Sequence, residues 1–162
     1  MSRPLTFWGR HLIAASAYDF TICLVLYSLF VPALHEASHW LVAKLYGVDG
    51  IIQLGFPLSS FQPSSPLPSG NEFYAVYFAG GILVSFAYLL MWSRESQLEE
   101  KAGMAPVIVQ QVTYGVGEGF WALWGFNQAF YNNMVLTSEI LSLVAGVVML
   151  IRLFRYWLTL AG

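Results

Sequence analysis

The sequence predicts an all-α, polytopic membrane protein with about four transmembrane helices. Of its 162 residues, 57% are hydrophobic and only 10% are charged, whereas a soluble domain carries about 25% charged residues. Several apolar runs also reach about 20 residues, the length that crosses the hydrocarbon core of a bilayer. The net charge of -2, with no cluster of basic residues, argues against a nucleic-acid partner.

The apolar runs predict four helices within a single domain. They are expected at about 18–44, 73–92, 103–126 and 135–160. The third is the most polar, because Gln110, Gln111 and Glu118 interrupt it. The segment 49–72 is a Ser- and Pro-rich loop, and its second half is expected to be irregular because Pro breaks helices and strand ladders. Its first half, "GIIQLGF", allows a short strand or hairpin in this outer loop.

The positions of Lys and Arg predict that both termini are cytoplasmic. Cytoplasmic loops of membrane proteins carry an excess of basic residues. With the N-terminus inside, the outer side holds only Lys44. The inner side then holds Arg3, Arg10, Arg94, Lys101, Arg152 and Arg155.

A His-Glu-x-x-His pattern lies in the first apolar run, in "LHEASHW". On a helix, His35 and His39 share one face, one turn apart, so both imidazoles can bind a single zinc ion. Glu36 then reaches water at the metal and serves as general base. Ionisable groups at membrane depth are costly and usually functional. The alternative is that the two histidines end the span and meet water or headgroups.

A catalytic zinc site takes three protein ligands and leaves one position open, and three carboxylates compete for the third place. Asp19 is about 24 Å from His35 along the same helix. Glu139 is expected in the first turn of the fourth helix, where the helix dipole stabilises a carboxylate. Glu118 lies mid-span between glycines, at a depth similar to that of His35. We therefore predict Glu118 as the third ligand, the alternatives being Glu139 or neither of the two.

Three further polar residues are predicted to support the site. Gln111 and Tyr114 precede Glu118 by seven and four residues, so they share its helical face. They are expected to orient ligands or contact the substrate, although hydrogen bonding between helices is the alternative. Asn127 is expected in a loop at the outer mouth, as a donor to a developing oxyanion or as a simple turn residue.

The segment "LHEASHWLVAKLYGV", Leu34 to Val48, resembles the site-2 protease family of intramembrane zinc metalloproteases. Both have an apolar residue, the His-Glu-x-x-His pattern, and a helix that continues to an aromatic-Gly turn. The resemblance implies that His35 and His39 are zinc ligands and that Glu36 is the catalytic base.

Two weaker matches follow along the chain. The family has Ala-Gly-Pro followed by an asparagine, where this sequence has "AGG", Ala79 to Gly81. Gly81 stands at the proline and Val84 at the asparagine. The family's third ligand is an aspartate followed by glycine, and the corresponding pair here is Glu118-Gly119.

The sequence leaves two functions open. The first is an intramembrane zinc metalloprotease that hydrolyses a peptide bond of a membrane-embedded protein substrate. Such a substrate helix must unwind locally, and it could add as a strand to "GIIQLGF". The second is a non-proteolytic subunit, either metal-holding or a degenerate protease-like chain, whose partners are other subunits of a larger membrane complex. A membrane hydroxylase needs many histidine boxes, and three histidines argue against it.

Overall fold

The computed structural model describes residues 7–55 and 59–161, with the side chains of residues 9–55 and 59–160. Arg3 and the centre of the 49–72 loop, residues 56–58, lie outside the described residues. The described residues are mostly helical and form four helices, as the sequence predicts, together with a two-stranded sheet, which the sequence only allows. In chain order the elements are α1 (Phe7–Leu45), β1 (Gly50–Gln53), β2 (Ser60–Pro63), α2 (Asn71–Arg94), α3 (Leu98–Leu123) and α4 (Gln128–Ala161).

The first and last helices begin earlier than predicted. Helix α1 has 39 residues, which is about 58 Å of helix. Helix α4 begins at Gln128, so the expected start at about residue 135 was wrong. The reason is local, because the Asn127 side chain accepts a hydrogen bond from the Phe130 N–H and caps the helix. The rings of Phe130 and Tyr131 then pack against Trp124 and Trp121.

A short antiparallel hairpin follows α1 and packs against it. Gly50 of β1 lies opposite Pro63 of β2. The expectation of irregular structure was wrong for β2, because Pro63 stands at the end of the strand, where a missing N–H interrupts no ladder. Asp49 anchors the hairpin by accepting hydrogen bonds from Gly50 N–H and from the Trp40 indole. These bonds and Lys44 hold the pKa of Asp49 below its usual range.

Helix α3 is the central helix, and it packs against the other three. Within the described residues, three helical segments are long and apolar enough to cross a membrane, namely Gly9–Leu45, Asn71–Arg94 and Gln128–Leu160. Helix α3, the third predicted span, is not one of them, since polar residues such as Gln110, Gln111 and Glu118 lower its hydropathy. Only 11% of the apolar window in α1, and the same share in α4, is buried within the protein. This outward-facing apolar surface indicates membrane association, and the cytoplasmic placement of both termini stays a prediction.

Candidate metal centre

Helix α1 places His35 and His39 on the face that meets α2 and α3. The two side chains are one turn apart, and their Nε2 atoms are 3.0 Å from each other. His35 is 7% exposed and His39 is 8% exposed. They lie six to ten residues before the end of α1 at Leu45, or about 9–15 Å from it along the helix. Both imidazoles are thus buried near the end of the bundle that carries the hairpin.

Helix α3 brings Glu118 to the two histidines. Its Oε2 atom lies 2.9 Å from Nε2 of His35 and 3.5 Å from Nε2 of His39. The glycines on either side have no side chain to keep the neighbouring helices away. Gly117 therefore meets Met134 of α4 at close range, and Gly119 meets the Phe78 ring of α2.

The three ligand atoms lie close enough together to hold one metal ion. The other two candidate carboxylates do not join this group, since Asp19 and Glu139 are exposed on other parts of α1 and α4.

The hydrogen bonds behind the imidazoles fix which ring nitrogen carries the proton. His39 Nδ1 lies 2.6 Å from the Val76 carbonyl oxygen, which can only accept, so Nδ1 is the donor. His35 Nδ1 lies 3.0 Å from Gln111 Oε1, an amide oxygen that also only accepts. A neutral imidazole has one N–H. Both Nε2 atoms therefore present lone pairs to each other and to Glu118.

With both imidazoles neutral, this arrangement could hold a cation among the three atoms. No group in the described part of the chain donates a hydrogen bond to the buried Oε2 of Glu118. Ligands about 2.05 Å from a tetrahedral zinc ion are about 3.3 Å apart, and the three observed separations are 2.9, 3.0 and 3.5 Å. A single proton can bridge only two of the atoms, whereas a metal ion accepts all three lone pairs. The donor set of two imidazoles and one carboxylate fits zinc.

Gly80 of α2 lies directly against the ring nitrogens. A Cβ atom at this position would fall on the Nε2 atoms of His35 and His39. The absence of a side chain therefore allows α2 to approach the triad. Gly80 lies in the "AGG" segment that weakly matches the site-2 protease family, but the sequence alone did not predict a role for it in the site.

Glu36, the predicted base, faces the hairpin. Its Oε2 atom accepts a hydrogen bond of 2.7 Å from the Phe61 N–H on the outer edge of β2. Glu36, His35 and Tyr114 also line a cavity of about 400 Å³ between α1 and α3. One carboxylate oxygen is thus engaged by β2, and the residue still borders the cavity into which the site opens.

The predicted supporting residues have different surroundings. Gln111 is buried and bonds His35. The Tyr114 ring lies edge-on to the His35 ring, with centroids 5.3 Å apart, and its hydroxyl is 3.0 Å from that of Tyr131. Asn127 caps α4, and its role towards an oxyanion stays a prediction.

Sequence reasoning missed three neighbours of the site: the Val76 carbonyl, the Phe61 N–H and the Tyr131 hydroxyl. The first two are main-chain groups, which leave no signal in residue identity. Tyr131 fell in a segment expected to be a loop, so its position beside Tyr114 on a helix could not be anticipated.

The comparisons with known proteins identify no relative, since no family model, curated protein or solved structure matches the chain. The interpretation of the site therefore rests on its own geometry.

Proposed function

We propose that this chain is an integral membrane zinc metalloprotease that hydrolyses a peptide bond of a membrane-embedded substrate. One observation carries the proposal. The Val76 carbonyl and Gln111 orient two imidazoles so that their Nε2 lone pairs converge with the Glu118 carboxylate. The His-Glu-x-x-His order adds an acid-base residue directly beside this group, and the resemblance of Leu34–Val48 to site-2 proteases points to the same chemistry.

The proposed roles follow from the positions of the side chains. His35, His39 and Glu118 would hold the zinc ion, which when bound acidifies water and polarises a carbonyl. Glu36 would accept a proton from the attacking water and deliver it to the leaving amine. Burial among α1, α2 and α3 keeps bulk water away and strengthens each electrostatic contact.

One contact favours the alternative of a non-proteolytic, metal-holding subunit of a membrane complex. Glu36 Oε2 is bound to the Phe61 N–H, and a base tied to a strand edge suits a structural site. We favour the protease because a carboxylate has two oxygens with about four lone-pair sites, so Glu36 Oε1 remains available.

The decisive experiment compares wild type with Glu36→Gln, reconstituted with zinc in phosphatidylcholine vesicles. The probe is a synthetic single-span peptide with an Asn-Pro pair in its apolar segment, because proline breaks the helix there. The matched peptide has Leu-Leu at the same two positions. Glu36→Gln should keep its zinc and lose cleavage by about 100-fold or more, the lower range for loss of a general base. Mass spectrometry of the fragments and metal analysis give the two readouts.

The same comparison in cells covers natural substrates. Membrane-protein fragments that depend on Glu36 would support proteolysis. Identical fragments from zinc-loaded wild type and Glu36→Gln would show that the protease proposal is wrong. Purification in a homogeneous complex of fixed stoichiometry would then favour the subunit role.

A further inference from the structure

A cleft leads away from the metal centre between α1 and α4. At the far end of the bundle the two helices meet, where Phe20 packs in one buried cluster with Leu153 and Trp157. Towards His35 they separate, and α3 forms the floor. Two cavities of about 400 and 360 Å³ share residues and form this continuous α1–α4 cleft. Its lining includes Leu24, Ser28, Pro106, Gln110, Glu139 and Ser142.

Glu139 is the one carboxylate among the described residues that line the second cavity, the one of about 360 Å³. In the first turn of α4 the helix dipole would stabilise this carboxylate, but α4 begins at Gln128, eleven residues before Glu139. The nearby Leu136, Ile140 and Leu143 are exposed apolar residues, the kind of surface that faces lipid. Among the described residues, Lys44 and Asp49 form the one ion pair between a Lys or Arg and a carboxylate, and Glu139 has no cationic partner.

The cleft also offers hydrogen-bonding groups that the helices do not use. Pro32 has no N–H, so the Ser28 carbonyl lacks its usual donor one turn later. Gln110 receives only a long contact of 3.4 Å from Gln111 and, among the described residues, has no acceptor for its amide N–H groups. An acyl chain would satisfy none of these groups. An extended peptide with a basic side chain would satisfy the carbonyl, the amide and the Glu139 carboxylate together.

We propose that the α1–α4 cleft binds an unwound segment of a membrane-embedded peptide and that Glu139 pairs with a lysine or arginine of that segment. The inference rests on the proposed protease function and specifies its substrate class. An intramembrane carboxylate is expected to have a partner, and a membrane-embedded peptide with a basic residue supplies one.

The geometry also sets the position of the basic residue. Met134 touches Gly117, beside the ligand Glu118, and Glu139 follows Met134 by five residues on α4. That is about 7.5 Å along the helix. An extended chain advances about 3.3 Å per residue, so the basic residue belongs two to four residues from the scissile bond.

The test uses binding as well as cleavage. The full chain, with Glu36→Gln and a photoreactive phenylalanine in place of Leu24, is reconstituted with zinc in phosphatidylcholine vesicles. The probes are single-span peptides with the Asn-Pro pair and with Lys, Leu or Glu three residues away. The Lys peptide should crosslink at least fivefold more than the Leu peptide. Glu139→Gln should abolish this preference, and Glu139→Lys should transfer it to the Glu peptide. Glu72→Lys, at an exposed carboxylate of α2, is the matched control and should change nothing.

The outcomes separate the inference from the proposed function. Cleavage by the chain with native Glu36, combined with equal crosslinking of all three peptides, would overturn the cleft inference and leave the protease intact. A charge preference that follows residue 139, without any Glu36-dependent cleavage, would support the binding site and show that the protease proposal is wrong. Crosslinking to phospholipid in place of every peptide would also overturn the inference. Zinc content reports that each variant is folded.

Discussion

Carboxylates lie among the helices at both ends of the bundle, and their partners differ. At the end near the start of α3, Glu100 accepts a hydrogen bond from the Tyr27 hydroxyl, and Glu99 accepts one from the Trp157 indole. At the other end, about 28 Å along α3, Glu118 meets two imidazole nitrogens that carry lone pairs. The first two carboxylates have protein donors, whereas the third is placed to share a cation with the two imidazoles.

The difference shows how a structural carboxylate can be distinguished from a metal ligand. Glu118 is buried, whereas Glu99 and Glu100 are half-buried, but burial by itself does not identify a metal ligand. The deciding feature is what lies behind the two histidines. The Val76 carbonyl and the Gln111 side chain accept the Nδ1 protons, so that both Nε2 lone pairs point towards Glu118. A metal-ligating histidine is commonly oriented in this way by an acceptor behind it.

The largest expected effect comes from removing a ligand. Glu118→Gln keeps the size of the side chain and removes its charge. Zinc affinity should fall by more than about 100-fold. Mutation of a residue that only orients a ligand costs about 10–100-fold, and loss of a ligand should cost more. Glu99→Gln, at the other end of α3, should leave zinc affinity unchanged. Metal analysis after dialysis against a weak chelator measures both. Equal zinc content in the two variants would mean that Glu118 is not a ligand.

Much of this contrast follows from the sequence. The spacing of His35 and His39 fixes a shared face on any helix, and the apolar runs predict the four helices. Glu118 was predicted as a ligand because no helix end or other structural role accounts for a carboxylate at its position. Glu139 was instead assigned to the first turn of the fourth helix, where the helix dipole stabilises a carboxylate. That assignment was wrong, because the Asn127 cap and aromatic packing start α4 at Gln128.

The remaining features could not be read from residue identity. The approach of Gly80 to the imidazoles depends on how closely α2 packs, and the bond from Phe61 to Glu36 depends on the edge that β2 presents. Both contacts depend on long-range packing. The hairpin lies in a segment whose prolines argued against a second strand, and β2 forms there because Pro63 stands at the end of the strand.

Gly80→Ala should produce the next largest effect, because the added methyl group would fall on the Nε2 atoms. Overpacking of this kind costs about 1–3 kcal/mol, so about 2 kcal/mol should appear as a roughly 30-fold loss of zinc affinity. Gly146→Ala is the control, since its Cβ would make an ordinary contact with Pro106 at 3.4 Å. Unchanged affinity in Gly80→Ala would contradict the described approach of α2.

Gln111→Leu tests the acceptor behind His35. Without it, the imidazole loses the bond that fixes its tautomer, and zinc affinity should fall by about tenfold, the lower range for such a change. Gln110→Leu, at the neighbouring position, makes no contact with His35 and should retain affinity. Competition with a fluorescent zinc chelator gives both values. A similar loss in both variants would attribute the effect to general packing of α3.

Tyr27→Phe should have the smallest effect, and it tests the end of the bundle where a carboxylate already has a donor. The variant removes the hydroxyl that donates to Glu100 across 3.4 Å. A hydrogen bond contributes about 0.5–1.5 kcal/mol, and this length places the loss near 0.5 kcal/mol. Thermal unfolding in detergent should show a small decrease, while zinc content stays at the wild-type value. A loss of zinc from this variant would mean that the two ends are coupled through α3. The contrast between a carboxylate with a protein donor and a proposed metal-binding carboxylate would then not hold.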